Sequence, residues 1–260
     1  MNDGDTQADT LQAHYGTIAR QATEAATTVD EACGTAAGGG CCDPSTSVAC
    51  GDGLGARLYD QADLEGLPSA AVAASLGCAN PVVLADLGAG KVVLDLGSGG
   101  GIDVLLSARR VGPTGWVFGL DMTPEMLELA RANQARADVT NVEFLQGRIE
   151  AVPLPDGSVD VVLSNCVIGL SAHKGDVFAE AFRVLRPGGR LAVADVVAVR
   201  EADPESVADT VEWATCLANA LTRPQYRAQL AAAGFADIEI VDSHPVADGL
   251  WSVFVRARRP

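Results

Sequence analysis

VVLDLGSGGGIDVLL, residues 92–106, holds the end of a strand, a turn and the start of a helix with nothing between them. An apolar run reaches Asp95, the glycines of Gly97-Ser98-Gly99-Gly100-Gly101 break it, and an amphipathic stretch follows at once. Glycines at such a junction let the backbone approach a ligand and keep helix and strand close. A second apolar run, GWVFGLD at 115–121, ends in Asp121, 20 residues after Gly101, where a carboxylate can hold ribose hydroxyls. A strand, a glycine turn, a helix and a second strand-end acid mark a nucleoside cofactor site. A dinucleotide would favour G-x-G-x-x-G with its pyrophosphate at the helix start. Here the spacing is D-x-G-x-G-x-G, and the acid Asp95 suits a cation better than a phosphate.

Outward from this turn, strands and helices alternate. Strands are predicted at 91–97, 115–121, 142–147, 159–165 and 189–199, with helices to about Arg110, over Pro124–Ala137 and over Asp176–Leu185. Helices near Pro204–Leu221 and Arg223–Ala233 follow, then strands near Ile238–Asp242 and Trp251–Arg256. Continuous Val/Leu-rich strands in a βαβαβ order call for an α/β fold, a seven-stranded and mostly parallel sheet with helices on both faces. Upstream, short helices are expected near Pro68–Leu76 and Pro81–Leu87, a helix over 5–29, and a Gly/Cys/Ser loop over Thr35–Gly55. The expected organisation is a lid at 1–66, a Rossmann-like cofactor core at 67–200, and a C-terminal part at 201–260 that completes the sheet and substrate site.

The chain of 260 residues is long enough for one substantial core. Its 48% apolar and 5% aromatic composition, rich in Ala, Val, Leu and Gly, suits close-packed helices on a parallel sheet. A formal charge of −16 argues against a nucleic-acid partner and favours solubility. No apolar run reaches membrane-spanning length, and the polar, acidic first 30 residues do not read as a targeting peptide, so the expected location is the cytoplasm. Cysteines stand at 33, 41, 42, 50, 78, 166 and 216. An odd, scattered set in such a chain points to metal, metalloid or redox chemistry rather than a disulfide framework.

Taken one by one, the cysteines leave alternatives open. In LSNCVIGL, residues 163–170, Asn165 and Cys166 end the fourth strand, where an open α/β sheet binds its ligands. A free cysteine there is either a small buried hydrophobe or a reactive thiol. Cys78 in SLGCANP has no local reason to be a thiol. Cys216 shares a helical stripe with Trp213, Leu217 and Ala220, which suits packing. The pair Cys41-Cys42 falls in the expected Gly/Cys/Ser loop, where no core explains it, and the chain lacks the spacing of a structural zinc site.

The glycine turn resembles motif I of the class I S-adenosylmethionine-dependent methyltransferases, as do Gly147-Arg148-Ile149-Glu150 and FRVLRPGGRLAVAD at 182–195 in their places. More narrowly, the chain is similar to the arsenite S-adenosylmethionine methyltransferases. The matching stretches are Tyr15-Gly16, Cys41-Cys42, SLGCANPVVLADL (75–87), VVLDLGSGGG (92–101), VGPTGWVFGLDMTPEMLELAR (111–131), LSNCVIGLS (163–171) and Cys216. The resemblance implies a class I methyltransferase fold and S-adenosylmethionine bound by Tyr15, Gly16, Asp95, Gly97, Ser98, Gly99, Gly101, Asp121, Met122, Ile149, Glu150 and Asn165. It implies that Cys78, Cys166 and Cys216 hold trivalent arsenic, and that one of Cys41 and Cys42 is a further thiol cycling with Cys78. Soft, thiophilic arsenic prefers thiolates to oxygen or nitrogen ligands. Three thiolates would hold it as a pyramid with its lone pair towards the methyl donor, so no general base is needed.

Three departures from the family stand out: Gly169 where it usually has Asn, ATCLANAL around Cys216, and VACGDGLGARLYD (48–60) after the cysteine pair. The expected function is arsenite methylation for detoxification or biotransformation by a monomer, with thioredoxin or glutathione as reductant and no nucleic-acid or membrane partner. Two rivals remain: a methyltransferase of an organic substrate with incidental cysteines, and a metalloid-binding protein without catalysis.

Overall fold

The strand of the opening motif, β1 (Val92–Leu96), lies near the middle of a seven-stranded sheet in the computed structural model of the protein. The structure describes residues 3–34, 58–200 and 220–260, and elements are numbered within them. The other strands are β2 (Trp116–Asp121), β3 (Val142–Gln146), β4 (Val159–Asn165), β5 (Leu185–Ala198), β6 (Ala236–Ala247) and β7 (Leu250–Arg258). Their order is β3-β2-β1-β4-β5-β7-β6. Strands β1 to β5 run parallel, and β7 is antiparallel to both β5 and β6. The order reverses between β1 and β4, and a crevice opens there at the carboxyl ends of the strands.

Both faces of the central strands are buried, which is why their sequences read as unbroken apolar runs. Leu94 and Leu96 of β1 join Val162, Val193 and Val255 on one face, covered by α7 (Lys174–Val184) and α8 (Arg223–Ala232) through Phe178, Tyr226 and Leu230. Val93, Val117, Val161 and Leu163 form the other face, under α5 (Ile102–Val111), α6 (Pro124–Arg136) and the short α4 (Pro81–Leu84). Helix starts follow local chemistry. Pro124 opens α6, and Thr222 and Gln225 cap α8 reciprocally.

Helix α1 (Asp3–Gly34) lies across α6 and the one-turn α3 (Ser69–Ala73). Ala19 and Ala22 meet Ala70, Ala74, Met126 and Leu129, and Arg20 pairs with Glu125 at 2.8 Å. Small residues on both sides let the helices approach closely.

Several boundaries differ from the sequence reading. Helix α1 extends past the expected 5–29 at both ends, while α4 stops at Leu84. Strand β5 begins at Leu185: it pairs with Val159 there and resumes at Arg190 opposite Val161, so Arg186–Gly189 bulges out. A bulge of that size sits where the sequence places a Pro-Gly-Gly break between helix and strand. Strands β6 and β7 are longer than expected because they pair along most of their length. The helix expected near Pro204–Leu221 falls almost wholly outside the described residues. Among the described residues no helix is long and apolar enough to cross a membrane.

Candidate active site

The glycine turn is folded back on β2. The N–H groups of Gly97 and Ser98 both donate to the Leu120 carbonyl, at 2.8 and 2.9 Å. Asp121 then fastens the turn from the side. Its Oδ2 accepts from the Gly99 N–H at 2.9 Å and its Oδ1 from the Thr123 N–H at 2.8 Å. Burial raises the Asp121 pKa, and these backbone donors partly oppose the shift. Gly99 adopts φ +49°, and a Cβ there would meet nothing within 4 Å, so its backbone borders open space.

That space is a cavity at the switch point. Gly97, Ser98, Gly99 and Asp121 border it, with Met122, Ile149 and Glu150 beyond β2 and β3, Tyr15 from α1, and Asn165 and Cys166 from the end of β4. Nine of the twelve expected cofactor residues therefore border one cavity. Glu150 accepts a 2.6 Å hydrogen bond from the Ser171 hydroxyl, which stiffens the wall at that end. Ser98 contributes a buried hydroxyl with no hydrogen-bond partner among the described residues.

Gly16, Asp95 and Gly101 do not border the cavity. Gly16 is pressed against the Glu125 carboxylate, 3.0 Å from where its Cβ would be. Gly101 precedes α5 with φ +89° and backs onto Phe144, so it shapes the turn without facing the opening. Asp95 lies one layer down, buried. Its pKa is well raised, first by burial and then by the neighbouring Asp103 and Asp121 carboxylates.

Cys166 follows β4 in the left-handed region, φ +58°, which a residue with a Cβ rarely adopts. Its N–H still donates to the Ala194 carbonyl of β5 at 2.8 Å. This backbone turns the side chain towards Cys78, and the two form a disulfide with their Cα atoms 5.9 Å apart. The sequence reading took both as arsenic-binding thiols, with Cys78 cycling with Cys41 or Cys42, and expected no disulfide framework. The pairing joins residues 88 apart in sequence, a contact that only the folded sheet creates. The sulfurs pack against Val196, Ala198 and Leu250, flanked by Ala220 and Val246. Cys41, Cys42 and Cys216 lie outside the described residues.

Two residues that sequence reasoning passed over lie at the same place. Asp103 borders the cavity, is only 4% exposed, and has its pKa raised to about 6 by burial, with hydrogen bonds from Asn165 and Tyr59 opposing the rise. The Tyr59 hydroxyl donates to Asp103 Oδ1 at 2.8 Å. An acid in the first turn of a helix is ordinary for the helix dipole, so nothing in the local sequence singled out Asp103. Tyr59 stood inside VACGDGLGARLYD, noted only as a departure from the family pattern.

Residues 87–234 match a protein-family profile described as a methyltransferase domain. Over 202 residues the chain is 45% identical to an arsenite methyltransferase of Halobacterium salinarum, covering 78% of this chain and 51% of that one. An arsenite methyltransferase of Aquipseudomonas alcaligenes is 42% identical over 165 residues, 61% of this chain and 48% of that protein. The crystal structure of an arsenic (III) S-adenosylmethionine methyltransferase from Chlamydomonas reinhardtii superposes with a TM-score of 0.64 at 31% identity, covering 79% of this chain and 72% of that one. The chain belongs to the arsenite S-adenosylmethionine methyltransferase family. It spans about half the length of these two arsenite methyltransferases. Its fold is the class I methyltransferase fold of that family, and the strand order reverses beside the glycine turn as that fold requires.

Proposed function

We propose that this protein transfers the methyl group of S-adenosylmethionine to trivalent arsenic held by cysteine thiolates. The observation that carries the reading is the meeting of Cys78 and Cys166 at the edge of the cavity built by the glycine turn and Asp121. Two thiols that can close a disulfide can equally chelate one soft, three-coordinate atom. Cys216 is the proposed third ligand, and Cys41 or Cys42 the thiol that exchanges with Cys78.

The cavity suits S-adenosylmethionine. Asp121 offers lone pairs beyond its two backbone bonds to a ribose diol, and Ser98 supplies an unengaged hydroxyl. Met122 and Ile149 give apolar walls for an adenine. The Asp103 and Asp121 carboxyl groups border the cavity and Asp95 stands behind them, where a cationic sulfonium would favour their ionised forms. Tyr15, Gly16, Asp95, Gly97, Ser98, Gly99, Gly101, Asp121, Met122, Ile149, Glu150 and Asn165 are the proposed cofactor set, with Gly16, Asp95 and Gly101 acting from behind the wall. Bound there, S-adenosylmethionine supplies an electrophilic methyl on a positively charged sulfonium. The residues to 66 act as a lid over the 67–200 core, and 201–260 complete the substrate side.

The chain's own part is positioning. Cys78 and Cys166 hold arsenic with its lone pair exposed, while Val196, Ala198 and Leu250 exclude water behind the sulfurs. No side chain has to remove a proton, because the nucleophile is a lone pair. Holding the reacting atoms in line supplies the rate, on the order of several kcal/mol. Methylation leaves arsenic formally oxidised by two electrons, so a dithiol must return it to the trivalent state. The Cys78–Cys166 disulfide likewise needs two thiol equivalents before it can bind substrate. Thioredoxin or glutathione is the proposed reductant, with the chain acting as a cytoplasmic monomer.

The deciding experiment is incubation with arsenite, reductant and S-adenosylmethionine, followed by arsenic speciation. Methylated arsenic appearing together with S-adenosylhomocysteine is expected. Bound cofactor without any methylated arsenical would end the proposal.

A further inference from the structure

The Asn165 carboxamide is already committed on every side. Its Nδ2 donates to the Ala79 carbonyl at 2.8 Å and to Asp103 Oδ2 at 3.1 Å, and lies 3.2 Å from the Tyr59 hydroxyl. Its Oδ1 accepts the Cys78 N–H at 3.0 Å. The opposite side of that stretch is held as well, because the Ser252 hydroxyl donates to the Cys78 carbonyl at 3.1 Å. At Gly77 an added Cβ would collide with the Asn165 side chain, so residues 77–79 wrap the carboxamide at a distance only glycine permits.

A carboxamide can be turned end for end with little change of shape, and only its partners decide which end points where. An ionised carboxylate accepts and cannot donate, so Asp103 obliges the NH2 end of Asn165 to face it. The oxygen is thereby aimed at the Cys78 N–H. Tyr59 donates to the other Asp103 oxygen at 2.8 Å and keeps that carboxylate in place. We propose that Asp103 and Tyr59 are positioning residues that set the direction of the Asn165 carboxamide, and that Asn165 fixes the Cys78 backbone so its sulfur meets that of Cys166. Asn165 then serves the substrate side of the site as well as bordering the cofactor cavity.

The assignment deepens the proposed function, but its first test is independent of arsenic. In a glutathione redox buffer, two glutathiones reduce the Cys78–Cys166 disulfide to two thiols and leave as glutathione disulfide. The equilibrium constant, read by mass spectrometry of the linked and unlinked peptides, reports how well the protein presents one sulfur to the other. Asn165→Ala is expected to lower the disulfide's formation constant by about tenfold, and Tyr59→Phe by about threefold. The measurement is made well below the melting temperature of each variant, where mere loss of overall stability would leave the constant unmoved. In turnover, Tyr59→Phe should raise the half-saturating arsenite concentration and leave that for S-adenosylmethionine within about twofold, since Tyr59 does not border the cavity. Constants unchanged from the parent in both variants would overturn the assignment. If the constants fall but the parent methylates no arsenical, the positioning role stands and the proposed function fails. If the parent methylates arsenite and the constants do not move, the function stands and the positioning role fails.

Discussion

Asp195 Oδ1 lies 3.2 Å from the point where a Cβ on Gly169 would sit. The Gly169 N–H donates to this buried carboxylate, which also accepts from Val196 N–H at 2.9 Å and from the Tyr226 hydroxyl at 3.2 Å. The 3-10 turn Ile168–Leu170, just past Cys166, is thus tied through Asp195 to β5 and α8. Gly169, the departure from the family pattern, fits here because there is little room for a side chain.

Gly169→Asn should therefore be destabilising, by about 1–3 kcal/mol, as for other overpacked buried sites. The urea midpoint should fall with an unchanged m-value, while S-adenosylhomocysteine affinity holds within about twofold because Gly169 does not border the cavity. A midpoint equal to the parent's would mean that Asp195 can move aside freely.

Asp195 also makes stability depend on pH in a definite direction. Burial raises its pKa from 3.8 to about 6, against the lowering effect of its hydrogen bonds and of the Lys174 charge. The folded state therefore keeps a proton that the unfolded chain gives up. The associated stability is complete below about pH 3.8 and is lost as pH rises through about 6. Asn cannot ionise, so Asp195→Asn should gain stability relative to the parent as pH rises from about 4 to 7 and level off above. Melting curves of the two proteins across that range check it. A constant difference would contradict the raised pKa.

Cys78→Ser and Cys166→Ser should each lower arsenite methylation by at least about a hundredfold, because a hydroxyl does not replace a thiolate on a soft atom. Calorimetric affinity for S-adenosylhomocysteine should change by less than about threefold, the size of a lost weak contact. A large loss of cofactor binding in Cys166→Ser would place that residue on the cofactor side.

Asp121→Ala should do the reverse. It removes the acceptor for both Gly99 and Thr123 N–H groups, so the glycine turn loses its tether as well as the proposed ribose partner. Cofactor affinity should fall by roughly 10–100-fold, measured by titration with S-adenosylhomocysteine. Formation of the Cys78–Cys166 disulfide should be unaffected.

The residues proposed for the cofactor were legible because they are local. Gly97, Ser98, Gly99 and Asp121 stand at the ends of two adjacent strands, and the spacing that makes the turn is written in consecutive residues. The proposed substrate side was legible only as a set of cysteines. Nothing near Cys78 shows that it faces Cys166, nor does a helix-start acid such as Asp103 show that it is buried against Tyr59 and Asn165. Edges of elements were misjudged where pairing partners set them, as at the bulge of β5 and along β6 and β7.

By itself, the sequence determined the layered α/β fold, through apolar runs long enough to be buried on both faces, and the turn beside the cavity, through glycines whose positive φ other residues rarely adopt. Both follow from periodicity and backbone freedom, which act over a few residues. Only the tertiary structure decided that Cys78 and Cys166 are partners, that Asp103 directs Asn165, and that Gly169 faces Asp195. Each joins chain segments far apart in sequence, and their energies depend on burial and hydrogen-bond direction. Those quantities come into existence only when β1, β4 and β5 lie side by side.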